Sequence, residues 1–319
     1  MPRALFCDLF KGPGSLRLGD IEEGPPGEGE VAVRVLACGA NATDVESLTG
    51  HPAYSRVVAP FGGRGRVLGS DVVGIIEALG EGVAGLAPGQ RVLADTFGHF
   101  GGFADRLVAP AKLWVPVPED VSDADAAALP QSGTIAFYGM ADRVEAGMEV
   151  LINGAAGGTG PLAIQMALNA GARVSVVDSA VKLPILATYG PHRMIDFRAE
   201  DFAARPERYD LILDLYATRR AGRIARVLKP DGRYGMVGGP VPTLLNILVA
   251  GGLRGLMSDR SIRVLAVPQG PERLPELLGL VADARLKPLI GEVAPLADAV
   301  DALTRMARGE IAGKLVIRP

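Results

Sequence analysis

The chain has 319 residues, enough for about two domains at the ordinary size of roughly 150 residues each. Apolar residues make up 48% and charged residues 22%, the balance of a protein that buries a large core in water. A formal net charge of −3 gives no electrostatic case for nucleic acid or an anionic membrane. The two cysteines, Cys7 and Cys38, exclude a disulfide framework and a multi-thiolate metal site.

The opening Met1-Pro2-Arg3-Ala4-Leu5 reads as a strand and not as a secretory leader. Residues 30–37 alternate around Val31, Val33 and Val35, after a Gly24-Pro25-Pro26-Gly27 loop. Further strand runs are read at 67–68, 72–79, 91–94 and 103–109, with no long helical period between them. This is the texture of a β-rich domain. From Ser122 it changes. Helices are expected over 122–129, with Ser122 as N-cap, and 134–144. Then strand and helix alternate: strand 149–153, helix 161–169, strand 173–177, helix 181–189, strand 211–215, helix 219–228, strand 234–237. Such alternation specifies a doubly wound parallel sheet. Strand 261–267 and helix 271–284 precede a tail ending in strand 314–317, read as returning to the β-rich domain. The apolar stretch 244–256 is too short and too interrupted to span a bilayer, so a cytoplasmic enzyme is the expectation.

The strongest chemical signal follows the buried-strand run Val150-Leu151-Ile152. Gly154-Ala155-Ala156-Gly157-Gly158-Thr159-Gly160 comes next, and Pro161 opens the helix after it. Glycines there let a backbone turn tightly and approach a pyrophosphate, while the helix N-terminus offers N–H groups and a positive dipole. Ala155 stands where the strict fingerprint has its first glycine. Gly154, Ala156, Gly157, Gly158, Thr159 and Gly160 are the candidate phosphate cradle, and Gly238 belongs on its nicotinamide side. The next strand ends at Asp178, eighteen residues past Gly160, near the position of the acidic residue that takes the ribose hydroxyls. That favours NAD(H). Lys182, four residues on, could contact a 2′-phosphate and keeps NADP(H) open, and Asp178 could instead cap the next helix.

Distributed motifs extend this reading. Residues 37–44 (Ala-Cys-Gly-Ala-Asn-Ala-Thr-Asp), 68–74 (Leu-Gly-Ser-Asp-Val-Val-Gly), Pro88-Gly89-Gln90-Arg91-Val92, Gly102-Phe103-Ala104-Asp105, 127–136 and the ending Gly313-Lys314-Leu315-Val316 all fit one pattern. The chain resembles the medium-chain dehydrogenase/reductase superfamily, in its zinc-free quinone-oxidoreductase-like branch. The resemblance implies an α/β protein: a central Rossmann domain (123–267) and a GroES-like β-rich catalytic domain made from both chain ends (1–122 and 268–319). Zinc-dependent relatives carry Cys and His at the positions held here by Asn41 and Ser70, so no zinc is expected. Without a Lewis acid, simple alcohol dehydrogenation is not favoured. Reduction of a conjugated carbonyl or quinone is, because the substrate delocalises the incoming charge.

By the same resemblance Asn41 and Thr134 lie nearest the nicotinamide and the substrate carbonyl, in a cleft between the domains. Asn41 could donate to a developing enolate oxygen or simply satisfy a local turn. Asp44 is read as structural. Tyr54 could deliver a proton, orient the carbonyl or only pack. The loop 51–66 carries Arg56, Arg64 and Arg66, a solvated face or a contact for an anionic group. Phe97, His99 and Phe100 would line the opposite wall. The expected partner is a small-molecule substrate, with a homodimer through strand 261–267 left open. Two alternatives keep the fold without this chemistry: a non-redox dinucleotide-binding protein, and a biosynthetic enzyme using the cleft for another reaction such as cyclisation.

Overall fold

The computed structural model describes residues 1–58 and 66–319. The alternating apolar runs and Gly/Pro breaks of the first stretch fold into eight short strands: β1 (Arg3–Cys7), β2 (Arg17–Asp20), β3 (Glu30–Gly39), β4 (Arg66–Val67), β5 (Asp71–Leu79), β6 (Arg91–Asp95), β7 (Arg106–Pro110) and β8 (Trp114–Pro116). β3 is the centre of this part. It pairs antiparallel with β5 along nearly its whole length and with β7 through Glu30 to Arg34. Val31, Val33, Val35 and Cys38 of β3 join Leu5, Val72, Ile76, Phe103 and Leu107 in one buried core.

Several elements lie outside those expected from the sequence, among them β2, β8, a strand at Ile290–Pro295 and a helix after β3. Residues Ala42–Thr49 form a two-turn helix after β3, too short to display a helical period. Its start is fixed electrostatically: the Asn41 N–H donates to Asp44 Oδ2 at 2.8 Å, and Asp44 Oδ1 accepts the Gly69 N–H at 2.9 Å. Asp44 therefore staples the helix entry to the turn before β5.

The helix expected at 122–129 runs Asp123–Ala127, and Ser122 Oγ accepts the Asp125 N–H as its N-cap. The next helix is Pro130–Met140 and begins four residues earlier than expected, because Pro130 supplies a pre-set φ at a first-turn position. Strands β9 (Glu149–Asn153), β10 (Arg173–Asp178), β11 (Arg193–Asp196), β12 (Tyr209–Asp214), β13 (Leu228–Met236) and β14 (Ser261–Val264) build a six-stranded sheet in the order β11-β10-β9-β12-β13-β14. All five pairings are parallel, the doubly wound order whose switch point falls between β9 and β12. β11 is an addition to the strands expected from sequence: Arg193-Met194-Ile195-Asp196 buries only Ile195 well and shows no clear alternation.

After a helix at Leu274–Ala282 the chain forms β15 (Ile290–Pro295), a helix at Ala299–Ala307, and β16 (Lys314–Arg318). β16 pairs antiparallel with β3 at Val316↔Gly39 and Ile317↔Cys38, so the tail completes the first sheet, β15-β16-β3-β5-β6-β8 with β7 on β3, while β2-β1-β4 form a separate small sheet. By contacts the chain forms two compact units, Met1–Thr134 with Pro268–Pro319, and Ile135–Val267. The first break falls inside the helix Pro130–Met140, because its opening residues hydrogen-bond β5 through Gln131 N–H to Asp71 Oδ2 at 3.3 Å. Among the described residues no helix is long and apolar enough to cross a membrane.

In the second unit the carboxyl ends of three neighbouring strands are tied by a buried latch. Asn153 Nδ2 donates to Asp214 Oδ1 at 2.6 Å, and Tyr234 Oη donates to Asp214 Oδ2 at 2.8 Å. Burial raises the Asp214 pKa, opposed by these two hydrogen bonds. Tyr234→Phe removes one donor and raises that pKa further. Chemical denaturation should show a loss of about 1–3 kcal/mol, larger at pH 8 than at pH 5 because only the ionised carboxylate misses the bond.

Candidate functional site

Two clusters, one in each unit, carry the chemistry. The first is the turn at the end of β9. Gly154 takes φ +75°, so the left-handed residue of this turn lies one position before Ala155, which is why alanine is tolerated there. Ala155 is fully buried and its N–H, like that of Gly154, donates to the Val177 carbonyl. The helix after the turn spans Thr159–Asn169, two residues earlier than expected, with Gly158 as N-cap. A Cβ at Gly160 would lie 1.9 Å from the Ala155 carbonyl oxygen, so only glycine lets the helix pack onto the turn. Gly157 is exposed, and a Cβ there would meet nothing closer than the Gly154 oxygen at 3.8 Å. This is a backbone surface left open at a helix N-terminus, which fits a pyrophosphate.

Asp178 ends β10 beside this turn. Its Oδ2 accepts the Ala156 N–H at 2.8 Å and its Oδ1 the Ser179 N–H at 2.8 Å. The carboxylate thus braces the cradle itself, a role that the sequence does not announce. Lys182 is half-buried at the N-cap of the helix Leu183–Ala187. Gly238 follows β13, and its carbonyl accepts the Ala217 N–H at 2.8 Å.

The second cluster is built in the first unit from β3, β5, the helix Pro130–Met140 and β16. Lys314 Nζ, 3% exposed as a residue, donates to Asn41 Oδ1 at 2.6 Å, Asp71 Oδ2 at 2.7 Å and Ser132 Oγ at 3.3 Å. Gln131 Nε2 donates to Ser70 Oγ at 2.9 Å, and Thr43 Oγ1 donates to Gln131 Oε1 at 3.1 Å. Asn41 Nδ2 in this cluster is buried without a hydrogen-bond partner, as is Thr134 Oγ1 on the helix that carries Ser132; Glu23 Oε2, Trp114 Nε1 and Tyr209 Oη are further buried, unpartnered atoms. Unmet buried polar atoms are costly in a folded protein and mark places where a ligand atom completes the set. Asn41's side chain faces the Asp44 N–H in capping-box geometry, while the Asn41 N–H donates to Asp44 Oδ2 and the Asp44 N–H to the Asn41 carbonyl.

The donor chemistry of this cluster bears on zinc. The two positions where zinc relatives carry thiolate and imidazole hold an amide and a hydroxyl, and a lysine Nζ touches the first of them. That set does not fit a dication. Among the described residues no group of three His, Cys, Asp or Glu side chains is placed to hold a metal.

Around this cluster the carboxyls are pushed upward. Asp95, whose Oδ1 accepts the Phe97 N–H at 3.0 Å, rises to about 7 through burial and then the negative charge of Asp71. Asp44 rises to about 6, again chiefly by burial. Glu46 rises to about 7 by burial, opposed by the hydrogen bond from Tyr54, so the phenol faces a carboxyl that takes up a proton near neutrality. Lys314, Asp71, Gln131 and Glu46 lie outside the site residues expected from sequence. A lone lysine inside the apolar run 314–317 was the available signal. His99 is exposed and its Nε2 is bonded to the Val108 carbonyl at 2.8 Å, while Phe97 and Phe100 stack edge to face with centroids 5.6 Å apart. Arg56 donates to the Gly50 carbonyl at 3.2 Å and lies over the Phe10 ring, and Arg64 lies outside the described residues.

Two outcomes are expected. Gly160→Ala should abolish dinucleotide binding in a fluorescence titration and lower the melting temperature, whereas Gly157→Ala should leave the melting temperature unchanged. A raised carboxyl pKa means that the folded state holds a proton that the unfolded chain has released. The Asp95 contribution to stability therefore falls as pH rises from about 4 to 7. In pH-dependent denaturation, Asp95→Asn should match the parent near pH 4 and exceed it by on the order of 1–3 kcal/mol at pH 8.

Comparison with known proteins bears on the fold and the family. The alcohol dehydrogenase GroES-like domain family matches residues 27–119, and the zinc-binding dehydrogenase family matches residues 189–317. A phenolphthiocerol/phthiocerol polyketide synthase polypeptide of Mycobacterium tuberculosis is 32% identical over 95% of this chain, which spans only 14% of that protein. The 2-methylene-furan-3-one reductase of Solanum lycopersicum is 27% identical over 98% of this chain and 76% of its own length. Among solved structures, the quinone oxidoreductase from Coxiella burnetii superposes with a TM-score of 0.88 at 26% identity, covering 100% of this chain and 99% of that one. A mycobacterial protein complexed with NADPH gives 0.84 at 26% identity, covering 100% of both chains. The chain belongs to the medium-chain dehydrogenase/reductase superfamily, in its quinone-oxidoreductase-like branch.

Proposed function

We propose that this protein is a zinc-independent, nicotinamide-dinucleotide-dependent reductase of conjugated carbonyl compounds, enones, enals or quinones. The observation that carries the reading is Asn41 Nδ2, buried and unpartnered on an amide whose oxygen is held by Lys314. When bound, the dinucleotide supplies hydride to the electrophilic carbon of the conjugated system. The negative charge then gathers on the substrate oxygen, and Asn41 Nδ2 donates to that oxygen, joined by the Thr134 hydroxyl. The Asn41 amide is held by the hydrogen bond from Lys314 and needs no reorganisation as charge develops, which is the basis of oxyanion stabilisation. Tyr54, with Glu46 behind it, or water returns the proton.

The cofactor reading rests on the open turn at Gly157 and the close packing at Gly160. NAD(H) is favoured over NADP(H) because the Asp178 carboxylate opposes a 2′-phosphate, although the NADPH complex of the mycobacterial neighbour is a counterweight. Side-by-side titration with NADH and NADPH decides it. Tighter NADPH binding would transfer the specificity role to Lys182.

The polyketide synthase relatives favour a second, narrower reading, a biosynthetic enzyme whose conjugated carbonyl is part of an acyl chain. An α,β-unsaturated acyl thioester turned over faster than free enones of equal length would select it. For either reading the decisive assay is dinucleotide oxidation with a panel of enones, acyl thioesters and quinones. No turnover of any acceptor despite cofactor binding would sink both. With an active acceptor, Asn41→Ala should lower kcat by about 10²–10³-fold with dinucleotide affinity unchanged.

A further inference from the structure

Lys314 lies on the last strand and is assigned no contact with the substrate, yet its hydrogen bond to the Asn41 oxygen bears on what that amide can do. An asparagine amide has two ends of nearly equal shape, and its orientation is set by what faces it. A lysine ammonium can only donate. Placed 2.6 Å from the amide, it requires the oxygen on its side, and the flipped amide would set two donors against each other. Nδ2 is thereby turned to the side where no protein acceptor stands. The nearby Asp71 Oδ2 does not compete, because it already accepts from Lys314 and from the Gln131 N–H.

The lysine itself has no freedom to swing away. Its three protons meet three acceptors, on Asn41, Asp71 and Ser132. Its aliphatic stem crosses the face of Gly39, where an added Cβ would come within 2.6 Å of Lys314 Cε and 2.1 Å of the Ala127 oxygen. A hydrogen bond accepted at the amide oxygen also draws charge from the nitrogen and makes its protons stronger donors.

We infer that Lys314 is the positioning residue of the site: it fixes and polarises the Asn41 amide so that Nδ2 is presented as a donor to the substrate oxygen. This rests on the reductase reading of Asn41. Lysine alone cannot be removed cleanly, because Asp71 would be left as a buried unpaired charge. The test therefore uses the charge-neutral pair Lys314→Met/Asp71→Asn, with and without Asn41→Ala, plus Lys314→Arg in the parent background. kcat and KM are measured with the best acceptor, dinucleotide affinity by fluorescence, and folding by thermal melting.

The expected result is a 10- to 100-fold lower kcat in the pair variant with dinucleotide affinity unchanged. Adding that pair to Asn41→Ala should then cost less than two-fold. Lys314→Arg, which keeps a cationic donor, should recover part of the lost kcat. Equal losses in both backgrounds would show Lys314 to be only structural and overturn the inference. So would a folded pair variant with parental kcat, while Asn41→Ala still costs activity. If Asn41→Ala has no effect, the reading of Asn41 fails first and the inference goes with it.

Discussion

Lys314 and Asp71, 243 positions apart in sequence, meet at 2.7 Å where both side chains are almost wholly out of water. Neither charge could be buried alone. Losing one partner of such a pair leaves a stranded ion, at a cost of about 3–5 kcal/mol in comparable cases. The pair therefore fixes the relation between β5 and β16. Through the Gln131 N–H it fixes the start of a helix, and through Asn41 the exit from β3. Four segments converge on one ammonium group, and the geometry of the polar cluster follows from that convergence.

Two buried polar networks differ in how completely they are satisfied. In the parallel-sheet unit the latch is closed: Asn153, Asp214 and Tyr234 satisfy one another, and they hold strand ends at fixed spacing. In the β-rich unit the network around Lys314 leaves Asn41 Nδ2 unmet although its other groups are well bonded. A closed network confers rigidity, whereas an incomplete one held rigidly by its neighbours confers recognition. The raised pKa values of Asp95, Asp44 and Glu46 belong to the same economy of burial, since each carboxyl sits where water cannot fully solvate its charge.

Much of this was legible in the sequence because it depends on local pattern. The βα alternation after Ser122, the glycine turn, the Ser122 cap and the return of the tail to the first sheet all follow from spacing and turn chemistry. Other features were not legible for identifiable reasons. The helix Ala42–Thr49 is too short to show a period, and β11 buries a single residue well. Asp178 stands out in the sequence as an acidic strand end, but its bonds to the Ala156 and Ser179 amides arise from the three-dimensional turn. Lys314 was visible only as the second residue of a terminal motif. Its partners at 41, 71 and 132 are long-range neighbours that no window along the chain could reveal.

The lysine on β16 also has a consequence for how the polypeptide comes into being. Synthesis at roughly 5–20 residues per second delivers Asp71 roughly 12–50 s before Lys314 emerges. In that interval the first sheet has its aspartate but not the counter-ion that makes its burial tolerable. The parallel-sheet unit, a contiguous stretch from Ile135 to Val267, has every strand it needs before the last fifty residues exist. The middle of the chain can settle while its flanks still wait for each other, and the β-rich unit is the one exposed to chaperones, proteases and mispairing in the meantime.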